Sequence, residues 1–238
     1  MSVIGVQIRR HERFFPWFLL ATLLPLLVMP FTNLEGNALQ RLLLPAVTLL
    51  QVVLALRMMP SGLLCVGHFS LLPLYRLLGL GCAGVMWLPF VLGHHAGHHW
   101  HLPILAVISG FYVFTAVAIV LMLARVDRVN EPVLCLGAAG YVHLGLMGGQ
   151  LATALEILSP GSFSLGRMLP GEELVERLSY FSFVTLGTLG YGDVLPASAI
   201  AESFSVLLSV TATLYITLMI GLLLSRYIAS LEAGEGEP

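Results

Sequence analysis

The chain has 238 residues, of which 58% are hydrophobic and only 10% are charged. This composition excludes an ordinary soluble domain and indicates a membrane protein with several spans. The formal net charge of −2 and the lack of a basic stretch argue against a nucleic-acid partner. The composition therefore predicts that most of the chain is embedded in membrane lipid.

Six apolar segments are each about as long as the roughly 20 residues that a transmembrane helix requires. They are residues 14–31, 40–58, 77–93, 103–125, 133–157 and 199–225. Residues 59–75 are too apolar for an ordinary loop, and we expect an amphipathic turn or short helix there, at the membrane interface. The pattern predicts an all-α membrane protein with six transmembrane helices.

The distribution of arginine orients these segments. With a cytoplasmic N-terminus, the inner arginines are Arg9, Arg10, Arg13, Arg57, Arg76, Arg125, Arg128 and Arg226, and the outer ones are Arg41, Arg167 and Arg177. Positively charged loops stay preferentially inside. We therefore predict a multi-pass protein of the plasma membrane, which is the inner membrane in a prokaryote, with both termini in the cytoplasm.

The fourth segment has no basic residue in its interior, and Arg125 and Arg128 lie only at its cytoplasmic end. Moving one charge through 100 mV contributes about 2.3 kcal/mol, so a strong voltage sensor needs several such charges within the segment. Residues 1–130 are accordingly predicted to form a four-helix membrane module that lacks voltage-sensing charges.

A histidine cluster follows the third segment, on the predicted outer side. It consists of His94, His95, His98, His99 and His101. The pattern is typical of a solvated interfacial loop, although helical i, i+4 pairs within it would also suit Zn²⁺, Cu²⁺ or a pH-dependent site. A metal transporter would need further ligands at the bilayer midplane, where the only candidate is His143, which we expect to be a packing residue.

Residues 158–198 join the last two segments and contain a helical pattern at 174–186. With 13 residues, this helix is too short to cross a bilayer and is expected to enter and return. The stretch TLGTLGYGDVLP, from Thr185 to Pro196, follows it. Such irregular backbone is tolerated at membrane depth only where it is buried in protein or lines a water-filled path. Glu156, just before this connection, is expected to brace the outer loop.

Glycine spacing in this stretch predicts a special backbone. Gly190 and Gly192 can adopt left-handed dihedrals, so that ordinary and left-handed residues alternate and successive carbonyls point the same way. Rows of neutral carbonyls can replace the water around a permeating cation. Tyr191 would then point outward, and Thr188 would add a hydroxyl at the inner mouth.

The stretch TLGYGD, from Thr188 to Asp193, resembles the selectivity filter of potassium channels, which usually reads TVGYGD. The short helix, the flanking segments and the six-span layout extend the resemblance over nearly the whole chain. It implies that residues 131–230 form a pore domain with an outer helix, a re-entrant pore helix, a filter loop and an inner helix, and that four identical chains surround one pore. The implied ion-binding residues are Thr188, Leu189, Gly190, Tyr191 and Gly192.

The residues that support the filter depart from this family. The pore helix of the family often carries two tryptophans, whose ring N–H groups donate hydrogen bonds to the filter tyrosine and aspartate. The matching positions here are Tyr180 and Phe181, of which only Tyr180 has a hydroxyl that can donate to Asp193. Val184 replaces a glutamate of some relatives, and Gly187 replaces a second threonine. The predicted filter support is Asp193, Tyr180, Phe181, Val184 and Thr185.

The sixth segment carries small polar residues at a spacing of four, which places them on one stripe of a helix. Thr213 and Thr217 are candidates for lining a cavity, with helix packing through small residues as the alternative. Ala212 stands where relatives often have a hinge glycine, which leaves Gly221 as a lower candidate. Residues 231–238 are acidic and glycine-rich and are predicted to be a short disordered tail.

The sequence thus predicts a potassium-selective channel with passive K⁺ permeation, no cofactor and no enzymatic activity. A poorly selective cation channel and a non-conducting regulatory subunit remain as alternatives. Gating by a nucleotide or Ca²⁺ would require an unidentified partner chain, because the short tail has no room for a ligand-binding domain.

Overall fold

The computed structural model describes residues 3–32, 38–63, 65–66, 69–92, 101–126, 129–168 and 173–235. In these ranges the helices are α1 (Val3–His11), a 3₁₀ turn (Glu12–Phe14), α2 (Phe15–Thr32), α3 (Ala38–Met58), α4 (Leu72–Leu92), α5 (His101–Ala124), α6 (Glu131–Leu158), α7 (Leu174–Leu186) and α8 (Ala199–Glu235). Two short antiparallel pairs join β1 (Cys65–Val66) to β2 (Phe69–Ser70) and β3 (Phe163–Ser164) to β4 (Leu195–Pro196). The mainly helical fold that the sequence predicts is confirmed.

Helices occupy all six predicted segments, but they differ in length and hydropathy. Among the described residues, Pro103–Ala124, Glu131–Leu158 and Ala199–Leu222 are long and apolar enough to cross a membrane. In α3 and α4, the apolar stretches within the described side chains are shorter, Pro45–Met58 and Leu72–Val85. The structure therefore has three candidate membrane-spanning helices, and six crossings stay a prediction.

Two connecting regions differ from the sequence-based expectation. The residues before the first predicted span form α1, which buries Ile8 and exposes Arg9 and Arg10. Within 59–75, the structure has a turn at 61–63, as one of the two expected alternatives predicts, and the β1–β2 pair before α4 in place of a short helix.

The C-terminal helix is longer than the sequence suggested. α8 continues to Glu235, ten residues past the predicted end at 225, so the expected disorder of 231–235 is wrong. Leucine, alanine and glutamate dominate this stretch, and their helix propensity outweighs its acidic, glycine-containing character. Residues 236–238 of the predicted tail lie outside the described residues.

α6 is the central helix of the fold, because α2, α5, α7 and α8 all pack against it. Only residues 125–130 connect α5 to α6. The Asn130 side chain accepts a hydrogen bond from the Val133 amide at 3.2 Å and caps the helix, with Pro132 in the first turn. Helices α2 and α5, which precede this connection in the sequence, therefore pack on α6.

A buried polar network centred on His143 connects α3 and α5 to α6. Gln51 Nε2 lies 3.3 Å from His143 Nδ1, and His143 Nε2 lies 3.1 Å from the Tyr112 carbonyl oxygen. The tautomer with a proton on Nε2 satisfies both contacts, because Nδ1 then accepts from the amide and Nε2 donates to the carbonyl. The imidazole also stacks on the Tyr112 ring, with centroids 5.1 Å apart. His143 is thus a hydrogen-bonded packing residue, as the sequence predicts.

We expect His143→Leu to lower the free energy of unfolding by about 1–3 kcal/mol, because the buried Gln51 amide would lose its acceptor. The measurement is the thermal unfolding midpoint of the purified protein in detergent. Leu134→Ala, on the exposed face of the same helix, is the matched control and should leave the midpoint nearly unchanged. Equal midpoints for the two variants would contradict this role of His143.

Candidate functional site

The short helix α7 has the bounds that the sequence predicts, residues 174–186. The Glu173 backbone amide donates to the Glu176 carboxylate at 3.3 Å, so one free N–H of the first turn is satisfied within the helix start. Acidic side chains here also suit the positive end of the helix dipole. Local capping explains why this helix begins where it does.

Glycines on one face of α6 determine how closely α7 can approach. A Cβ atom added at Gly145 would contact the Phe183 ring, one at Gly148 would contact Ser182 Oγ, and one at Gly149 would lie 2.6 Å from Ser179 Cα. The Ser182 hydroxyl donates to the Gly145 carbonyl at 2.8 Å. α7 therefore lies directly on the backbone of α6.

The backbone after α7 alternates as the glycine spacing predicts. The φ angles of Gly190 and Gly192 are 58° and 76°, and Thr188 adopts the same left-handed region with φ of 57°. Threonine rarely takes this conformation, because its Cβ crowds the following carbonyl. The surrounding structure therefore imposes the third left-handed residue.

Backbone hydrogen bonds fix the direction of the first carbonyls in this loop. The Thr188 amide donates to the Thr185 carbonyl at 3.1 Å, and the amides of Leu189 and Gly190 reach the Val184 carbonyl at 3.0 and 3.5 Å. In a trans peptide, the carbonyl points opposite to the next amide N–H. The carbonyls of Gly187, Thr188 and Leu189 consequently all point away from the end of α7.

The structure brings most of the predicted supporting residues against this loop. Phe181, Val184 and Thr185 line a pocket together with Gly190, Tyr191, Gly192 and Asp193. Phe181 packs edge-on against Phe163 with ring centroids 5.3 Å apart, so its support is apolar. Partial burial of the phenol, together with the nearby Asp193 carboxylate, raises the pKa of Tyr180.

Three further contacts, made by Tyr141 and Arg177, were missed by sequence reasoning. Tyr141 on α6 donates to the Leu186 carbonyl at the end of α7, at 3.2 Å. Arg177 on α7 donates through Nε to the Leu165 carbonyl at 2.9 Å, and its Nη2 lies 3.3 Å from Asp193 Oδ2. The spacing of three between Arg177 and Tyr180 was an available signal, since it puts both on one helix face.

The outer loop is held to the segment that follows the filter. Glu156 accepts from the amides of Gly161 and Phe163 at 2.7 and 2.8 Å, which is the bracing role that the sequence predicts. Strand β3 pairs with β4, and the Ala197 amide donates to the Ser162 carbonyl at 2.7 Å. Residues 162–164, before α7, and residues 195–197, after the glycine-containing loop, therefore form one structural unit.

One side of the site is open. Leu189 and Tyr191 are 58% and 66% exposed. On α8, Tyr215 is buried and donates to the Gly137 carbonyl of α6 at 2.7 Å, whereas Thr213 and Thr217 lie on an exposed face. Their hydroxyls donate to backbone carbonyls one turn earlier in the same helix. Thr213 is therefore exposed, whereas Thr217 lines a groove that α8 shares with Val120, Leu123 and Ala124 of α5.

The predicted histidine cluster is not tested by the structure. His94, His95, His98 and His99 lie outside the described residues, and His101 begins α5 with a side chain that is also outside the description. In the ranges that are described, no group of three or more histidine, cysteine or acidic side chains could hold a metal ion. Metal binding by the cluster stays a prediction.

Comparison with known proteins identifies part of this region. Residues 163–229, from β3 through α7 and the filter loop into α8, match the model of a family described as ion channel. The match covers less than half of the chain and does not include the helices before β3. No curated protein and no solved structure gives a significant match. The chain therefore carries an ion channel domain in its last third.

We expect Gly149→Ala to displace α7 and lower the thermal unfolding midpoint, because the added methyl group would collide with the backbone of Ser179. The matched control is Gly84→Ala in α4, where an added Cβ meets no atom within 4 Å. Alanine in place of a helical glycine is otherwise favourable by about 1 kcal/mol. A Gly149→Ala protein as stable as the control would show that the close approach of the two helices is not required.

Proposed function

We propose that this chain is the subunit of a potassium-selective channel in which residues 188–192 form the filter. The observation that carries the proposal is the left-handed backbone at Thr188, Gly190 and Gly192. This alternation directs successive carbonyls to one side, in a stretch that reads TLGYGD and lies within the ion channel domain. The main-chain carbonyls of Thr188, Leu189, Gly190 and Tyr191, together with the Thr188 hydroxyl, are the proposed K⁺ ligands.

A single chain supplies only one row of carbonyls, which cannot surround an ion. A dehydrated K⁺ requires several oxygen ligands, and rings of carbonyls from four chains provide them in known filters. A homotetramer is proposed on this ground, because each chain carries one such loop, and the exposure of Leu189 and Tyr191 leaves the loop accessible to other subunits. K⁺ permeates passively and no cofactor takes part.

Strong voltage gating is not part of the proposal. α5 has no basic side chain in its interior. Arg125, just after the helix, donates to the Leu63 carbonyl at 2.9 Å and thereby holds the turn between α3 and β1. We place the chain in the plasma membrane with six crossings and cytoplasmic termini, an orientation supported by the excess of arginine on one side.

We expect Gly190→Ala to reduce the K⁺-to-Na⁺ permeability ratio about tenfold or more, since forcing an alanine into the left-handed region costs roughly 1–2 kcal/mol. An added Cβ at Gly190 meets no atom within 4 Å, so the effect would come from the backbone conformation. The measurement is the reversal potential of the purified protein in planar bilayers, with K⁺ and Na⁺ on opposite sides.

Gly161→Ala is the matched control for this experiment. Gly161 also has a positive φ and open space around it, but it lies in the outer loop away from the filter. Its variant should retain the selectivity of the unchanged protein. A K⁺ selectivity that survives Gly190→Ala would contradict the proposed filter.

Two other functions are outcomes of the same recordings. A reversal potential near zero for the unchanged protein would identify a poorly selective cation channel. A purified, correctly assembled tetramer without K⁺ flux across the tested range of voltage, pH and Ca²⁺ would identify a non-conducting regulatory subunit.

A further inference from the structure

The two halves of the filter loop are attached to α7 in different ways. Backbone amides from Gly187 to Gly190 donate to carbonyls in the last turn of the helix. In the described part of the chain, no such backbone bond follows from Tyr191 or Gly192. Within one chain, the outer half must therefore be held through side chains. After Tyr191, the next residue with a side chain is Asp193.

Arg177 joins three separate pieces of the outer structure. Its guanidinium donates to the Leu165 carbonyl in the loop before α7, and it lies 3.3 Å from the Asp193 carboxylate and 3.5 Å from the Asp193 carbonyl oxygen. The guanidinium also lies over the Tyr180 ring, 5.3 Å from its centroid. The planar guanidinium of arginine has several donors in fixed directions and can bind several acceptors at once. The single ammonium group of lysine lacks this geometry.

The surroundings favour a strong contact. The side chain of Arg177 is only 12% exposed, whereas that of Asp193 is 41% exposed. Exposed ion pairs contribute little, but charge-assisted hydrogen bonds gain strength where the donor is withdrawn from water. Gly166 has φ of +62°, and a Cβ there would contact the Asp193 carbonyl and lie 3.3 Å from Arg177 Nη2. The loop before α7 is thus packed directly onto the ion pair.

We infer that Arg177 is the positioning residue that holds the outer half of the filter, by fastening Asp193 to α7 and to Leu165 in the loop before α7. This inference rests on the proposed function. It assigns to one guanidinium, which lies over the Tyr180 ring, the bracing that ring N–H groups at positions 180 and 181 would otherwise supply. Arg177 contacts no proposed ion ligand and acts on permeation only through Asp193.

The first test compares Arg177→Gln, Arg177→Lys and the control Arg167→Gln in planar bilayers. Arg167 is an exposed arginine of the same outer loop, so its variant removes a charge without removing the contacts. We expect Arg177→Gln to lower the K⁺-to-Na⁺ permeability ratio at least severalfold and to make the current decay during a recording, with the decay slowed by raised outer K⁺. Arg177→Lys should lie between, and Arg167→Gln should behave as the unchanged protein.

Protection by K⁺ separates a positioning role from a general loss of stability, because ions in the filter oppose its collapse but do not restore a misfolded chain. Selectivity and current decay in Arg177→Gln equal to those of Arg167→Gln would overturn the inference and leave the proposed function intact. A non-selective unchanged protein would instead overturn the proposed function.

The second test does not depend on conduction. Thermal unfolding midpoints are measured in detergent for Arg177→Gln, Asp193→Asn and the double variant. Effects that are clearly less than additive in the double variant would support the contact, since either single change already breaks it. Additive effects would show that the two side chains are not coupled and would overturn the inference.

Discussion

The backbone at the end of α7 is the constraint on which the site depends. A helix leaves its last four carbonyls without partners inside the helix, and in apolar surroundings each must find a donor. Here the carbonyls of Phe183, Val184 and Thr185 accept from amides of residues 187–190, and the Leu186 carbonyl accepts from Tyr141. The loop can satisfy this helix end only by folding back over it. That requirement turns its own carbonyls to the opposite side, where they become available to an ion.

The position of that helix end is set by α6. Without side chains at Gly145, Gly148 and Gly149, α7 lies against the α6 backbone, and Ser182 adds a hydrogen bond across the contact. The same helix also packs against α2 and α5, and the His143 network joins it to Gln51 of α3 and Tyr112 of α5. A shift of α2 or α5 would therefore move α6 and, with it, α7 and the loop that follows α7.

Features governed by local rules were predictable from the sequence. The bounds of α7 follow from its acidic start and its limited apolar length, and the left-handed residues at 190 and 192 follow from glycine. Thr188 was not foreseen as left-handed, because only its hydrogen bonds to α7 impose that conformation. Arg177 was missed since its partners lie 12 and 16 residues away across reversals of the chain, which spacing alone does not reveal. The extension of α8 and the β1–β2 pair show local propensity overriding composition.

The glycines of α6 have a consequence for the order in which the protein matures. This helix contains Gly137, Gly140, Gly145, Gly148 and Gly149, and glycine is among the weakest helix-forming residues. Gly140 faces Ile119 and Tyr215, and the last three face α7, so the gaps are filled by parts of the chain on both sides of α6 in sequence. α6 reaches its final packing only after residues synthesised later have docked. The packing of α6 is thus completed only by α7 and α8, and a chain that ends before α8 should leave α6 poorly packed at Gly140.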